Sequence, residues 1–149
     1  MTEEELKDAR HRVKRRLYRY LDLKRERDQI AEELKTAEGD ATSPSSPNLD
    51  GMPRASGYGD AMVGRVSELI NLRKLYERKR DEISDAMLAI ENAIEGLEPV
   101  ERTLLRYRYI YGMTWERVSV AMNYSWRQTH NIHAKALDKL VEKDKEVSA

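Results

Sequence analysis

The chain has 149 residues, of which 36% are charged and 40% hydrophobic, and 27 Lys and Arg balance 27 Asp and Glu. This profile is typical of a helical, strongly solvated protein with a thin core, with room for one domain or a small domain and an extended element. The lack of Cys excludes a disulfide framework and thiolate chemistry. No apolar run has the length of a membrane span and no signal peptide is visible. We therefore expect a cytoplasmic protein with no membrane partner.

Residues 1–95 are predicted to form a long antiparallel helical hairpin. Apolar residues recur at threes, fours and sevens along residues 3–38, and a heptad-like pattern runs along residues 61–95. Pro, Gly and Ser accumulate between them, so residues 39–60 are expected to be a flexible loop. The first helix would be roughly 50 Å long at about 1.5 Å per residue, which is too long to be buried without a partner helix. The predicted fold is all-α, with this coiled-coil-like hairpin preceding a C-terminal helical domain.

The second long helix carries an apolar seam. Its members are Ile83, Met87, Ile90 and Ile94. Two helices of this length cannot bury each other fully in so small a chain. The sequence therefore leaves two arrangements open: an intramolecular hairpin, or a seam that is shared with a second copy in a homodimer or with another protein.

Two shorter helical patterns meet at a tight turn within residues 114–140. Asn123 tolerates the left-handed conformation that ends a helix. Ser125 is a natural N-cap, and Gln128 follows at the spacing of a capping box. Thr114 is placed to cap the first of the two helices. This is the spacing of a helix-turn-helix, whose second helix lies in the major groove of DNA.

The second helix of this motif, predicted over residues 125–143, carries side chains suited to double-stranded DNA. Arg pairs with guanine and Asn or Gln with adenine, while lysines further along suit phosphate contact. The predicted DNA-binding residues are Trp126, Arg127, Gln128, His130, Asn131, Lys135 and Lys139. His130 and His133 stand three apart, but zinc needs further ligands and the chain has no Cys. No metal site or cofactor is predicted.

These residues resemble region 4 of the sigma-70 family, which reads the promoter −35 element. The run A-K-A-L-D-K-L at residues 134–140 closely matches the end of the family's recognition helix, and the stretch from L-E-P to T-W-E at residues 97–116 is similar to the approach to it. Three positions differ from the family pattern. Ser119 stands where Ala or Gly is usual and the helices approach closely, Thr129 stands where Ile or Val is usual, and Glu98 stands where a better N-cap is expected before Pro99.

The organisation of the whole chain resembles small phage and prophage proteins of this type. They have a helical N-terminal half, a W-E-x-[VI] helix and a Y-S-x-R-Q turn, which are matched here by residues 115–118 and 124–128. The resemblance implies a phage-encoded, sequence-specific regulator of transcription that is associated with the nucleoid of a bacterial host. Residues 96–143 would form the region 4-like domain and residues 144–149 a fraying tail. The hairpin would mediate dimerisation or contact RNA polymerase.

A second hypothesis belongs to a different functional class. In it, the hairpin is the working part of an interaction or inhibitor protein, and it binds a host protein or a protein–nucleic acid complex. Enzymatic activity is not predicted under either hypothesis, because no nucleophile–base pair or Gly-rich phosphate loop is visible.

Overall fold

The computed structural model describes residues 1–42 and 57–148, and every regular element within these ranges is helical. The helices are α1 (Glu3–Thr42), α2 (Gly57–Ile94), α3 (Pro99–Leu105), α4 (Trp115–Met122) and α5 (Trp126–Ser148), and a π-helical segment, Arg106–Ile110, continues α3. The predicted all-α fold, with long N-terminal helices and a C-terminal helix-turn-helix, is confirmed. None of the helices in these ranges is long and apolar enough to span a membrane.

Three helix ends lie beyond their predicted positions. α1 continues through Gly39 to Thr42, and α2 begins at Gly57. One Gly inside a helix costs only about 1 kcal/mol, so it does not end α1 by itself. The rest of the predicted loop, residues 43–56, lies outside the described residues. α5 is helical to Ser148 and so includes most of the predicted tail, whose fraying stays a prediction.

The chain divides into two compact units, and one of them is Lys24–Glu82. Within this unit the two helices run antiparallel, since Glu26 pairs with Lys79 at 2.8 Å and Glu38 pairs with Arg73 at 3.1 Å. Ion pairs as exposed as Glu38–Arg73 each contribute only about 0–1 kcal/mol to the stability of the fold. They therefore serve here as evidence for the antiparallel direction of the helices. The hairpin is therefore observed in this unit, and coiled-coil packing stays a prediction.

The other unit combines Met1–Leu23 with Ile83–Ala149 and contains the main core. The first turns of α1 and the last turns of α2 pack here with the C-terminal helices. Of the predicted seam, Ile83, Ile90 and Ile94 are buried in this core, whereas Met87 is 37% exposed. The seam is thus covered mainly by the chain itself. The largest fully buried side chains of this core are Tyr109, Ile94, Leu104, Leu105, Val13, Val118 and Thr129.

Candidate nucleic-acid interface

The turn between α4 and α5 has the geometry that its sequence predicts. Asn123 ends α4 in the left-handed conformation, with φ 58° and ψ 41°. The Ser125 N–H donates to Gln128 Oε1 at 3.0 Å, and the Gln128 N–H donates to Ser125 Oγ at 3.1 Å. At the start of α4, the Arg117 N–H donates to Thr114 Oγ1 at 3.3 Å. The reciprocal bonds of the capping box set the direction in which α5 leaves the turn.

Two of the three positions that differ from the family pattern, Ser119 and Thr129, contact each other. Ser119 on α4 and Thr129 on α5 are both buried, and their hydroxyl oxygens lie 3.0 Å apart. The Thr129 hydroxyl also lies 2.8 Å from the Ser125 carbonyl oxygen, to which it donates. Thr129 can therefore accept from Ser119 while it donates to the turn. Each buried hydroxyl meets a partner, so the pair replaces an apolar contact without leaving a polar group unsatisfied.

Three neighbouring rings, those of Trp126, His130 and Trp115, support the first turn of α5. We call these three residues the aromatic column. Ring centroids are 4.0 Å apart for Trp126 and His130, and 4.4 Å apart for His130 and Trp115. The guanidinium of Arg108 lies over the Trp115 ring at 4.8 Å. His130 Nε2 is buried and has no hydrogen-bond partner among the described residues. The His130 ring is half-buried between two indoles, so the predicted contact of this residue with a base stays a prediction.

Below this column lies a buried polar pair. The Tyr109 hydroxyl and His133 Nε2 are 2.7 Å apart and share a hydrogen bond. Burial lowers the pKa of His133 to about 4, and burial raises the pKa of Tyr109. Both groups are therefore neutral near pH 7. The structure buries His133, with only 7% of its surface exposed.

Three of the predicted DNA-binding residues form an exposed row on α5. Arg127, Asn131 and Lys135 follow one another at intervals of four, so they share one face of the helix. Their side chains make no hydrogen bond or ion pair with any residue that the structure describes. We call Arg127, Asn131 and Lys135 the open row. Gln128 is also exposed, but its side-chain oxygen is already engaged in the capping box.

Lys139 does not belong to the open row, although the sequence grouped it with Lys135. Its Nζ lies 2.6 Å from Glu101 Oε1, and that carboxylate is 5% exposed and also accepts from the Glu98 N–H at 3.1 Å. Lys139 therefore neutralises a buried carboxylate at the start of α3. The predicted phosphate contact of Lys139 stays a prediction, and the ion pair reduces the net positive charge available for it.

Sequence reasoning missed one exposed cation near this face. Arg117 lies in the first turn of α4, and its guanidinium has no partner within the described residues. In a helix-turn-helix the first helix crosses the DNA backbone. The signal was present in the sequence, since Arg117 stands three residues after the Thr114 cap.

Comparison with protein families gives one match. Residues 93–142 match the family model described as Sigma-70, region 4. The match covers about one third of the chain, including α3, the π-helical segment, α4 and α5 as far as residue 142. It confirms the resemblance read from residues 97–140 and supports, at a coarse level, a DNA-binding regulator. Comparisons with curated proteins and with solved structures give no match.

Proposed function

We propose that this protein regulates transcription by reading a specific DNA sequence with the first turns of α5. The observation that carries the proposal is the open row, which extends from a helix N-terminus that the capping box and the Ser119–Thr129 bond hold in place. Arg127 and Asn131 can each form two hydrogen bonds to the edge of one base, with guanine and adenine as the respective partners.

Two further cations complete the proposed surface. Lys135 is two turns beyond Arg127 and suits phosphate, and Arg117 suits phosphate on the side of α4. Zero net charge does not oppose binding, because a local set of unpaired cations attracts the phosphate backbone even in a balanced chain. The resemblance to small phage proteins supports a phage or prophage origin, with RNA polymerase as a protein partner.

The test begins with selection of bound duplexes from a random pool by the full-length protein. Arg127→Ala should then weaken binding to the selected duplex and reduce the sequence preference at one base pair. The reason is that a bidentate Arg–guanine contact contributes roughly 1–3 kcal/mol of discrimination. The measurement is a titration of matched and scrambled duplexes at two salt concentrations. Arg78→Ala, at an exposed position of α2, is the matched control and should bind as the wild type does.

The same titration separates base reading from phosphate contact. Lys135→Ala should weaken binding to every duplex by the same factor. It should also reduce the magnitude of the slope of log K, the association constant, against log salt concentration by about one unit. If Arg127→Ala and Lys135→Ala both fold and bind every duplex as the wild type does, α5 is not the reading helix and the proposal fails.

A second candidate function is contact with another protein through the long helices. α2 has large apolar side chains that are 45–65% exposed, namely Met62, Val63, Val66 and Ile70. Exposed apolar surface of this kind is typical of protein–protein contact. Replacement of Val66 and Ile70 together by Lys should preserve DNA binding and remove biological activity if this face is the working part. Arg127→Ala would then leave that activity intact.

A further inference from the structure

We propose that Trp126 is a specificity residue that recognises the C5-methyl group of a thymine in the major groove. This rests on the proposed function of α5 and adds a base identity to it. The indole would pack on the methyl group next to the base pair that Arg127 contacts. Two features carry the inference: the position of Trp126 at the start of α5, and the way its ring is held.

The position of the indole matches what the groove offers to an apolar side chain. Trp126 is the first residue of α5, immediately before Arg127, and it is 61% exposed. The thymine methyl is the apolar group among the base edges of the major groove, whose other groups are hydrogen-bond donors and acceptors. An indole face without a hydrogen-bonding requirement therefore selects thymine over cytosine, adenine and guanine.

The aromatic column holds the indole before DNA arrives. The Trp126 ring contacts that of His130 at an interplanar angle of 48°, and the His130 ring contacts that of Trp115 at 41°. Trp115 in turn lies edge-on to the buried His133, with ring centroids 4.6 Å apart. One end of the column is thus fixed in the core and the other end is exposed. A side chain that is already ordered loses little conformational entropy on binding, which favours a rigid aromatic contact.

His130 acts in this arrangement as a positioning residue. Its ring supports Trp126, and its buried Nε2 makes no hydrogen bond with the described residues. An apolar ring of similar size at this position should therefore preserve the column. His130→Phe should retain the thymine preference, and His130→Ala should reduce it, because the indole then lacks the ring on which it rests.

The experiment uses the selected duplex and replaces its thymines by uracil one at a time, which removes only the methyl group. The wild-type protein should bind one of these duplexes about fourfold more weakly, the change that corresponds to about 0.8 kcal/mol for one buried methyl-sized group. Trp126→Ala should bind the thymine duplex more weakly than the wild type and should no longer distinguish thymine from uracil. Far-ultraviolet circular dichroism checks that each variant is folded.

The outcomes separate the inference from the proposed function. Sequence-specific binding by the wild type with no uracil effect at any position overturns the role of Trp126 and leaves α5 as the reader. Equal weakening of thymine and uracil duplexes by Trp126→Ala places the indole on the DNA backbone and also overturns the inference. A protein that binds no duplex overturns the proposed function itself.

Discussion

The polar residues of α5 fall into two regions that the fold uses differently. Arg127, Asn131 and Lys135 form the open row. Beyond them, four polar residues bond to other helices: Asp138 with Arg10 at 2.6 and 2.8 Å, Lys139 with Glu101, Lys143 with the carbonyls of Asn92 and Ala93, and Asp144 with Arg16.

This difference shows where a nucleic-acid face ends on a continuous helix. Both regions contain lysine, so their composition does not separate them. A cation that is already paired with a carboxylate contributes less net positive charge to the attraction of phosphate than an unpaired cation does. Asp138 and Asp144, which would repel phosphate, are neutralised by arginines of α1. The partners of each charge therefore indicate binding capacity better than the number of charges does.

The largest expected effect is on the buried face of α5. Leu137 is 2% exposed, and Leu137→Ala should lower the free energy of unfolding by about 2–5 kcal/mol through lost burial and a residual cavity. Asn131→Ala, on the open row of the same helix, should change it by no more than about 0.5 kcal/mol. Urea denaturation of both variants measures this. Similar losses in the two variants would show that the open row also contributes to folding.

The next effect concerns pH and His133. Its folded-state pKa of about 4 is lower than its ordinary value of 6.5, so the unfolded chain binds a proton more readily than the folded chain does. The neutral ring therefore makes its full contribution to the free energy of unfolding above pH 6.5. This contribution, roughly 3 kcal/mol in total, is lost as the pH falls towards 4.

The control for this prediction is His133→Gln, which keeps a polar group for Tyr109 but does not titrate in this range. Unfolding free energies of wild type and variant should be compared at several values between pH 4.5 and pH 7, a window chosen around the two pKa values. The wild type should lose more stability than the variant as the pH falls. Parallel curves would indicate that the folded chain protonates His133 as readily as the unfolded chain does, so that its pKa is not lowered in the fold.

A smaller effect distinguishes the two lysines. Lys139→Ala removes the partner of the buried Glu101 carboxylate and should cost about 1–3 kcal/mol of stability, with no change in the salt dependence of DNA binding. Lys135→Ala should leave the stability unchanged and lower the salt dependence of DNA binding. Addition of Glu101→Gln to Lys139→Ala should restore part of the loss, since the unpaired charge is then gone. A lower salt slope in Lys139→Ala would show that Lys139 contacts DNA.

The smallest effect tests the hydroxyl pair between α4 and α5. Thr129→Val alone leaves the Ser119 hydroxyl without its partner and should cost about 1 kcal/mol. The double variant Ser119→Ala with Thr129→Val removes both hydroxyls, so it should be closer to the wild type than the sum of the two single variants. Additive losses in this double-mutant cycle would mean that the two hydroxyls act independently.

The sequence by itself determined those features that depend on residues within one helical turn of each other. The caps at Thr114 and Ser125 and the left-handed Asn123 are local, because the groups they satisfy belong to neighbouring residues. The apolar faces of the C-terminal helices are also periodic, and Leu104, Leu105 and Tyr109 are buried as the pattern predicts. The match to region 4 rests on the same stretch of sequence.

Only the tertiary structure decided which polar residues remain open. Lys135 and Lys139 are one turn apart and look alike in the sequence, but Lys139 meets a carboxylate 38 positions away. Arg10 meets Asp138 across 128 positions, and the His130 ring lies between two indoles. Such partners are set by how helices pack, and helical periodicity describes only one helix at a time. The burial of most of the α2 seam within the chain itself was decided in the same way.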